Sequence, residues 1–269
     1  MTGLIDLFKE ALVYPTKDYK ALVIFGVIFL IANLSSVLLA WNIDINGSVI
    51  SLLAIISLIL YFVTEGYVLS VLKETINLGD EIPALNILEN FIDGLKLLVV
   101  QIVYYIIPTI IVLLVGWVSG TYSAMAEILA FIGNTISDTV DPSMAINAVP
   151  QDLWAPLFAG LAITGIVAII LYLIFALLLE IAMCRLAKYE DIGEAINFKE
   201  VIGDIQGIGI GRYIGWFIIL FIVAFILGLV LSFITAIPYL GILIAFLVGA
   251  PFISLFSARV LGNLYSDAE

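Results

Sequence analysis

Long apolar runs separated by short polar stretches dominate the chain. The runs cover about 21–41, 48–72, 97–118, 157–186, 213–237 and 239–264. Each is near or above the roughly 20 residues a helix needs to cross the hydrocarbon core of a bilayer. Six transmembrane helices are predicted. Turn-like stretches, WNIDINGS at 41–48 and the Ile237-Pro238 bend, join the first and third pairs. A second pattern precedes each pair. LIDLFKEAL places Leu4, Phe8, Ala11 and Leu12 on one face of a helix; LNILENFIDGL does so with Ile87, Leu88, Phe91 and Ile92; AINFKEVIGDI does so with Phe198, Val201, Ile202 and Ile205. One apolar face opposite a polar one predicts helices lying on the inner membrane surface. The segment AMAEILAFIGN, within the 119–152 loop, spaces Met125, Ile128, Leu129 and Ile132 in the same way. It predicts a short helix on the outer surface, with a re-entrant or gating element as the alternative.

The ends of the even-numbered spans resemble one another: EGYVLSVLK (65–73), EIAMCRLAK (180–188) and SLFSARVLG (254–262). Glu65 aligns with Glu180, Lys73 with Lys188, and Arg185 with Arg259. The expected fold is therefore an all-α integral membrane protein. Its six transmembrane helices form three repeated helical hairpins, each preceded by an inner-surface amphipathic helix. The single domain, 1–269, divides into units of about 1–80, 81–195 (holding the outer loop 119–152) and 196–269.

Composition strengthens the membrane reading: 64% of residues are hydrophobic and 12% charged, against about 45–50% and about 25% in soluble domains. Charge adds a direction. Lys9, Lys17, Lys20, Lys73, Lys96, Arg185, Lys188, Lys199, Arg212 and Arg259 all lie at the N-terminus or beside segments that follow an even-numbered span. The outer loop is instead acidic, with Glu127, Asp138, Asp141 and Asp152. The positive-inside rule then predicts a multi-pass protein of the cell membrane with both termini cytoplasmic. Trp41, Trp117, Trp154 and Trp216 fall near span ends, where an aromatic belt is expected. The first 20 residues carry mixed charge and no small-x-small cleavage site, so the first span is expected to be retained.

Absent residue types narrow the chemistry. No histidine is present and Cys184 is the one cysteine, which removes imidazole acid–base catalysis, His-ligated metals and intrachain disulfides. Net charge is −12 with no basic cluster, so neither nucleic acid nor polybasic recognition of lipid headgroups is expected. The lipid bilayer and other membrane proteins are the expected partners. An enzyme is not expected, nor a metal or cofactor. The run GIGIGR (207–212) lacks the strand and register of a phosphate loop and reads as a flexible lead into the fifth span, with Arg212 and Trp216 anchoring the interface. The acids at Asp80–Glu81 and Glu190–Glu194 read as solvated. Pro108 and Gly249-Ala250-Pro251 predict helix distortion, and Asn33 an interhelical hydrogen bond.

The candidate site is a polar layer. Glu180 lies five to eight residues inside Arg185–Lys188, roughly 7–12 Å deep at 1.5 Å per residue. Glu65 lies at the same depth by the repeat, and Gln101, Ser254 and Ser257 reach a similar level, with Arg185 and Arg259 near the rim. Two readings stay open. In one, Glu65 and Glu180 hold a proton, cation or cationic solute in a cytoplasm-facing cavity. In the other, they pair with the repeat-related arginines and lock the hairpins together, while Arg259 snorkels to the interface.

The stretches ALVYPTKDYKALVIFG, FIDGLKLLV, GRYIGWFIILFI and IPYLG followed by APFISLFSARVLGNLY resemble an uncharacterised family of archaeal multi-pass membrane proteins, a domain of unknown function. The helix-plus-hairpin pattern is more distantly similar to membrane-anchor domains of glycerophosphodiesterases, whose catalytic domain has no counterpart here. The resemblance implies an archaeal membrane and carries no site residues. Two functions are expected from the residues: a non-enzymatic scaffold or accessory subunit, or a transporter or channel for a small solute, ion or lipid.

Overall fold

The computed structural model describes residues 3–136 and 142–268; Asp138 and Asp141 of the acidic loop lie outside them. The elements in chain order are α1 (Leu4–Val13), α2 (Tyr19–Ala32), α3 (Leu34–Ala40), α4 (Gly47–Ile76), α5 (Ile87–Val118), α6 (Thr121–Thr135), α7 (Pro142–Asn147), α8 (Gln151–Tyr189), α9 (Ile192–Ala195), α10 (Phe198–Ile208), α11 (Ile210–Thr235), α12 (Leu240–Ile244) and α13 (Ala250–Ser266). The described residues hold helices and their connections, without strands. Helices α4, α5, α8 and α11, and the run Leu240–Ser266, are each long and apolar enough to cross a membrane. The pair α2–α3 supplies a sixth span only if it counts as one, because it bends by 68°.

The bend falls at Asn33. Its side-chain amide does not reach another helix, as the sequence suggested. It donates to the Phe29 carbonyl, 2.9 Å away, in its own helix. An amide that competes for local backbone acceptors favours a turn over a continued helix.

A second expectation fails at LNILENFIDGL. These residues form no separate surface helix but the first turns of α5, which runs unbroken for 32 residues. The physical reason lies in the breaks that the other two amphipathic stretches possess. A 3₁₀ turn containing Pro15 separates α1 from α2, and Gly209, at φ 91°, separates α10 from α11. No such residue follows Asn90. At roughly 1.5 Å per residue, α5 and the 39-residue α8 reach about 48 and 58 Å. Both exceed a hydrocarbon core of about 30 Å, which leaves their charged turns room to stand clear of it.

The chain divides into two compact units, Met1–Gln101 with Leu178–Glu269, and Ile102–Leu177. In the first, Tyr14, Leu22, Phe25, Tyr67, Val71, Leu255 and Ala258 form a common core from α2, α4 and α13. Glycines allow backbones to touch there. A Cβ on Gly66 would sit 1.8 Å from the Asn90 carbonyl oxygen, and one on Gly94 would sit 2.0 Å from that of Phe62, so α4 and α5 cross at this pair. Gly26 of α2 meets Leu247 in the same manner. Leu247 belongs to a π turn, Ala245–Gly249. Pro251 explains that turn: it has no N–H to offer the carbonyl four residues back, and the helix widens to accommodate it. At the other end of this unit, Trp41 Nε1 donates to the Tyr239 carbonyl at 3.3 Å, linking the turn after α3 to the turn before α12.

In the second unit, α6 is a helix as predicted, burying Ala124 and Ile128 against Val149 and Leu157. Met125 and Leu129, read as part of its apolar face, are exposed. Ser119, Thr121 and Thr164 hydroxyls meet at 2.7–3.2 Å, giving each polar group a partner inside apolar surroundings.

The Gly26 crossing generates a prediction. A Gly26→Ala substitution places Cβ 1.9 Å from the Leu247 carbonyl oxygen and is expected to destabilise by about 1–3 kcal/mol. Gly228→Ala meets no atom within 4 Å and is expected to be neutral or slightly stabilising. Thermal unfolding of both variants in one detergent measures the difference.

Candidate functional site

Most ion pairs of the first unit gather near α1, α10 and the C-terminal ends of α4, α8 and α13. Arg259, on the face of α13 turned to the core, is 7% exposed. Its Nη2 donates to Glu10 of α1 at 2.8 Å and to Asp80 at 2.9 Å; Nη1 donates to the Gly79 carbonyl at 2.6 Å. The guanidinium also lies over the Tyr14 ring, 4.6 Å from its centroid. Lys17 adds a contact to Asp80, and Asn263 donates to the second oxygen of Glu10. One arginine thus joins α1, α13 and the loop after α4. It is held inside this network and does not snorkel.

Arg185 repeats the arrangement on α8. It is 4% exposed; Nη1 donates to Asp204 of α10 at 2.9 Å, Nε to the Glu194 carbonyl at 2.9 Å, and Nη2 to the Glu194 carboxylate. Tyr265 of α13 donates to the same Asp204 oxygen at 2.8 Å. Five fixed N–H donors make a guanidinium able to satisfy several acceptors at once, which an ammonium cannot match in this geometry.

The predicted polar layer does not assemble this way. Neither Glu65 nor Glu180 forms an ion pair among the described residues; both sit half-buried on α4 and α8. Their proposed partners, Arg185 and Arg259, are taken by Glu10, Asp80, Glu194 and Asp204. Helix direction accounts for this. A guanidinium one or two turns closer to the helix end than the glutamate reaches outward, to acids that keep some hydration, and avoids the cost of desolvating two charges. Gln101, Ser254 and Ser257 are half-buried too, and no hydrogen bond among the described residues joins them to Glu65 or Glu180. The acids at Asp80 and Glu190–Glu194, read as merely solvated, are structural: Glu190 pairs with Lys73. Trp216 is fully buried, stacked on Tyr213 with ring centroids 5.7 Å apart, so it packs a helix junction and not an interface belt. Arg212 pairs with Asp267 at the C-terminal end.

Residues 49–236 match the family described as Protein of unknown function (DUF4013). The chain belongs to that family. No curated protein and no solved structure matches the chain. The family match runs from α4 through α11. It takes in Glu65, Gln101, Glu180, Arg185 and Asp204, and leaves the Arg259–Glu10 contact outside. Among the described residues of this family member, no three carboxylate or thiolate groups converge to hold a metal ion.

The acid partners Glu10, Asp80, Glu194 and Asp204 went unrecognised in the sequence, although a signal was present. Glu10 and Asp204 lie within the amphipathic stretches whose apolar faces were plain, on or beside their polar faces. Arg259→Ala is expected to destabilise by about 3 kcal/mol, the low end for breaking a buried ion pair, because Glu10 and Asp80 keep partial hydration. Lys17, hydrogen-bonded to Asp80, holds that carboxyl below its ordinary range, and the Lys17 and Arg259 charges add to this. A depressed value means the contribution is present above the unfolded pKa of about 3.9 and is lost as pH falls through the folded value. The protection of α1 against hydrogen exchange, relative to the intrinsic rate at each pH, should therefore hold at neutral pH and fall below about pH 4. Asp80→Asn should weaken that acid step.

Proposed function

We propose that this membrane protein is a non-catalytic scaffold or accessory subunit, built as six spans in three parallel hairpins with both termini cytoplasmic. What carries this reading is the use made of the charges. Arg185, Arg259, Lys17, Lys73 and Arg212 each tie a span end to a surface helix, a connecting loop or the C-terminus. They build a rigid platform at one end of the helices, as a docking surface requires.

The repeat is supported by a cyclic relation among contacts. The sixth residue of each aligned string is Ser70, Arg185 or Arg259. Ser70 Oγ accepts from Asn90 Nδ2 at 2.7 Å, at the start of the middle unit. Arg185 reaches Asp204 of the last unit, and Arg259 reaches Glu10 of the first. Each unit is thus fastened to the one that follows, and the last to the first. Orientation is supported by the basic residues: all ten fall in the unit made of Met1–Gln101 and Leu178–Glu269, none within Ile102–Leu177.

A transporter or channel is the second reading. It is favoured by Glu65 and Glu180, which have no ion pair among the described residues, and by a span broken at Asn33 that packs against a π turn, since interrupted helices line substrate sites in transporters.

Purification in mild detergent with light scattering and mass spectrometry tests the choice. A scaffold is expected to carry a stoichiometric protein partner, lost on Arg185→Ala or Arg259→Ala and kept in Glu65→Gln/Glu180→Gln. A protein found alone, whose solute uptake in vesicles disappears in Glu65→Gln/Glu180→Gln, would replace the first reading by the second. For topology, single cysteines at Asn46 and Ser266 in a Cys184→Ser background should separate cleanly. An impermeant maleimide applied to intact cells should label only the first; labelling of Ser266→Cys instead would reverse the orientation.

A further inference from the structure

Lysines and arginines in this acidic chain are mostly spoken for. Lys9 pairs with Asp6, Lys17 with Glu10 and Asp80, Lys73 with Glu190, Lys96 with Asp93, and the three arginines with acids of their own. Lys188 lies over the Tyr189 and Tyr265 rings. Two side chains differ. Lys20 and Lys199 form no ion pair and no aromatic contact among the described residues, and both are exposed. Lys20 also stands at a cavity.

That cavity, of about 320 Å³, opens between the first turn of α2, α4 and the loop leading to α5. Its wall is mixed: Ala21, Ile24, Ile82, Pro83 and Leu85 give it an apolar side, and Asp18, Lys20 and Tyr67 a polar one. The polar groups beside the lysine are already engaged. The Tyr67 hydroxyl donates to the Pro83 carbonyl at 2.9 Å. The nearby carboxylate, Asp18, accepts from the Lys20 and Ala21 backbone N–H groups at 2.9 and 3.0 Å as the cap of α2. Asp18 keeps its negative charge but is held by those N–H groups at the helix N-terminus, and the ammonium of Lys20 is the one cation among the residues lining the recess. It stands where the first apolar run begins, so its stem can lie along the helix while its head sits among headgroups.

We propose that this recess is a binding site for an anionic phospholipid, with the phosphate on Lys20 and an acyl chain against Ile24, Ile82 and Leu85. A cation and an apolar wall side by side match an anionic amphiphile. A zwitterionic lipid brings its own ammonium to the same place and gains less. A lysine near a charged headgroup layer contributes about 1 kcal/mol, or roughly a five-fold preference.

Native mass spectrometry of the full chain, with phosphatidylglycerol or phosphatidylcholine added at equal concentration, tests the site. Phosphatidylglycerol is expected to be retained about five-fold more than phosphatidylcholine. Lys20→Glu should abolish that preference, Lys20→Arg should keep it, and Lys199→Glu, at the other unpartnered cation, should leave it unchanged. Ile24→Trp, which fills the recess without touching the charge, should lower retention of both lipids. Equal retention of the two lipids by the wild type overturns the proposal. So does a preference that survives Lys20→Glu, or one that Lys199→Glu removes equally. Circular dichroism and gel filtration of each variant confirm that retention is read on folded protein.

Discussion

The buried guanidinium of Arg259 is the constraint on which the charged end of the protein depends. A charge that is 7% exposed must be surrounded by acceptors. Those acceptors come from residues as far apart in sequence as Glu10 and Asp80. Satisfying one side chain therefore fixes α1, the turn after α4 and the last helix together. Arg185 imposes the same condition on α8, α9 and α10. Apolar burial cannot by itself choose a register between helices in lipid, because the surrounding hydrocarbon is as apolar as a leucine. Ion pairs at the membrane edge, and backbone contacts at small residues, can.

The glycine crossings act in the same direction. Gly66 and Gly94 bring α4 and α5 into backbone contact, and Gly26 does so for α2 and the π turn. Each crossing leaves no room for a methyl group, so it specifies a single approach. Together with the ion pairs they account for how a chain with so few charged residues acquires a defined packing. They also set the first span, seven residues before its bend, against the π turn of the last.

Glu65 and Glu180 gain interest from what they do not do. A carboxylate in a spanning helix, without an ion pair, bears a desolvation cost that a purely structural role would be expected to offset. The arginines that might have neutralised them are engaged nearer the water. Lys20 presents the same logic outside the core: a charge with no ion pair among the described residues, beside a partly apolar recess.

The five to six apolar helices and the separate amphipathic helices α1 and α10 were legible in the sequence. Each rests on local periodicity or local composition, which the hydrocarbon thickness and helix geometry convert directly into length and level. The π turn was likewise foreshadowed by Pro251, whose effect is confined to its own turn. The bend at Asn33, the continuity of α5 and the partners of Arg185 and Arg259 were not legible. An asparagine in an apolar run is compatible with a bend or a hydrogen bond between helices. An amphipathic segment continues into a span unless a breaker intervenes. A guanidinium takes whichever acids the fold brings near. Apolar pattern determined that these helices exist; only tertiary structure decided which charges meet, because pairing depends on distances that sequence spacing does not contain.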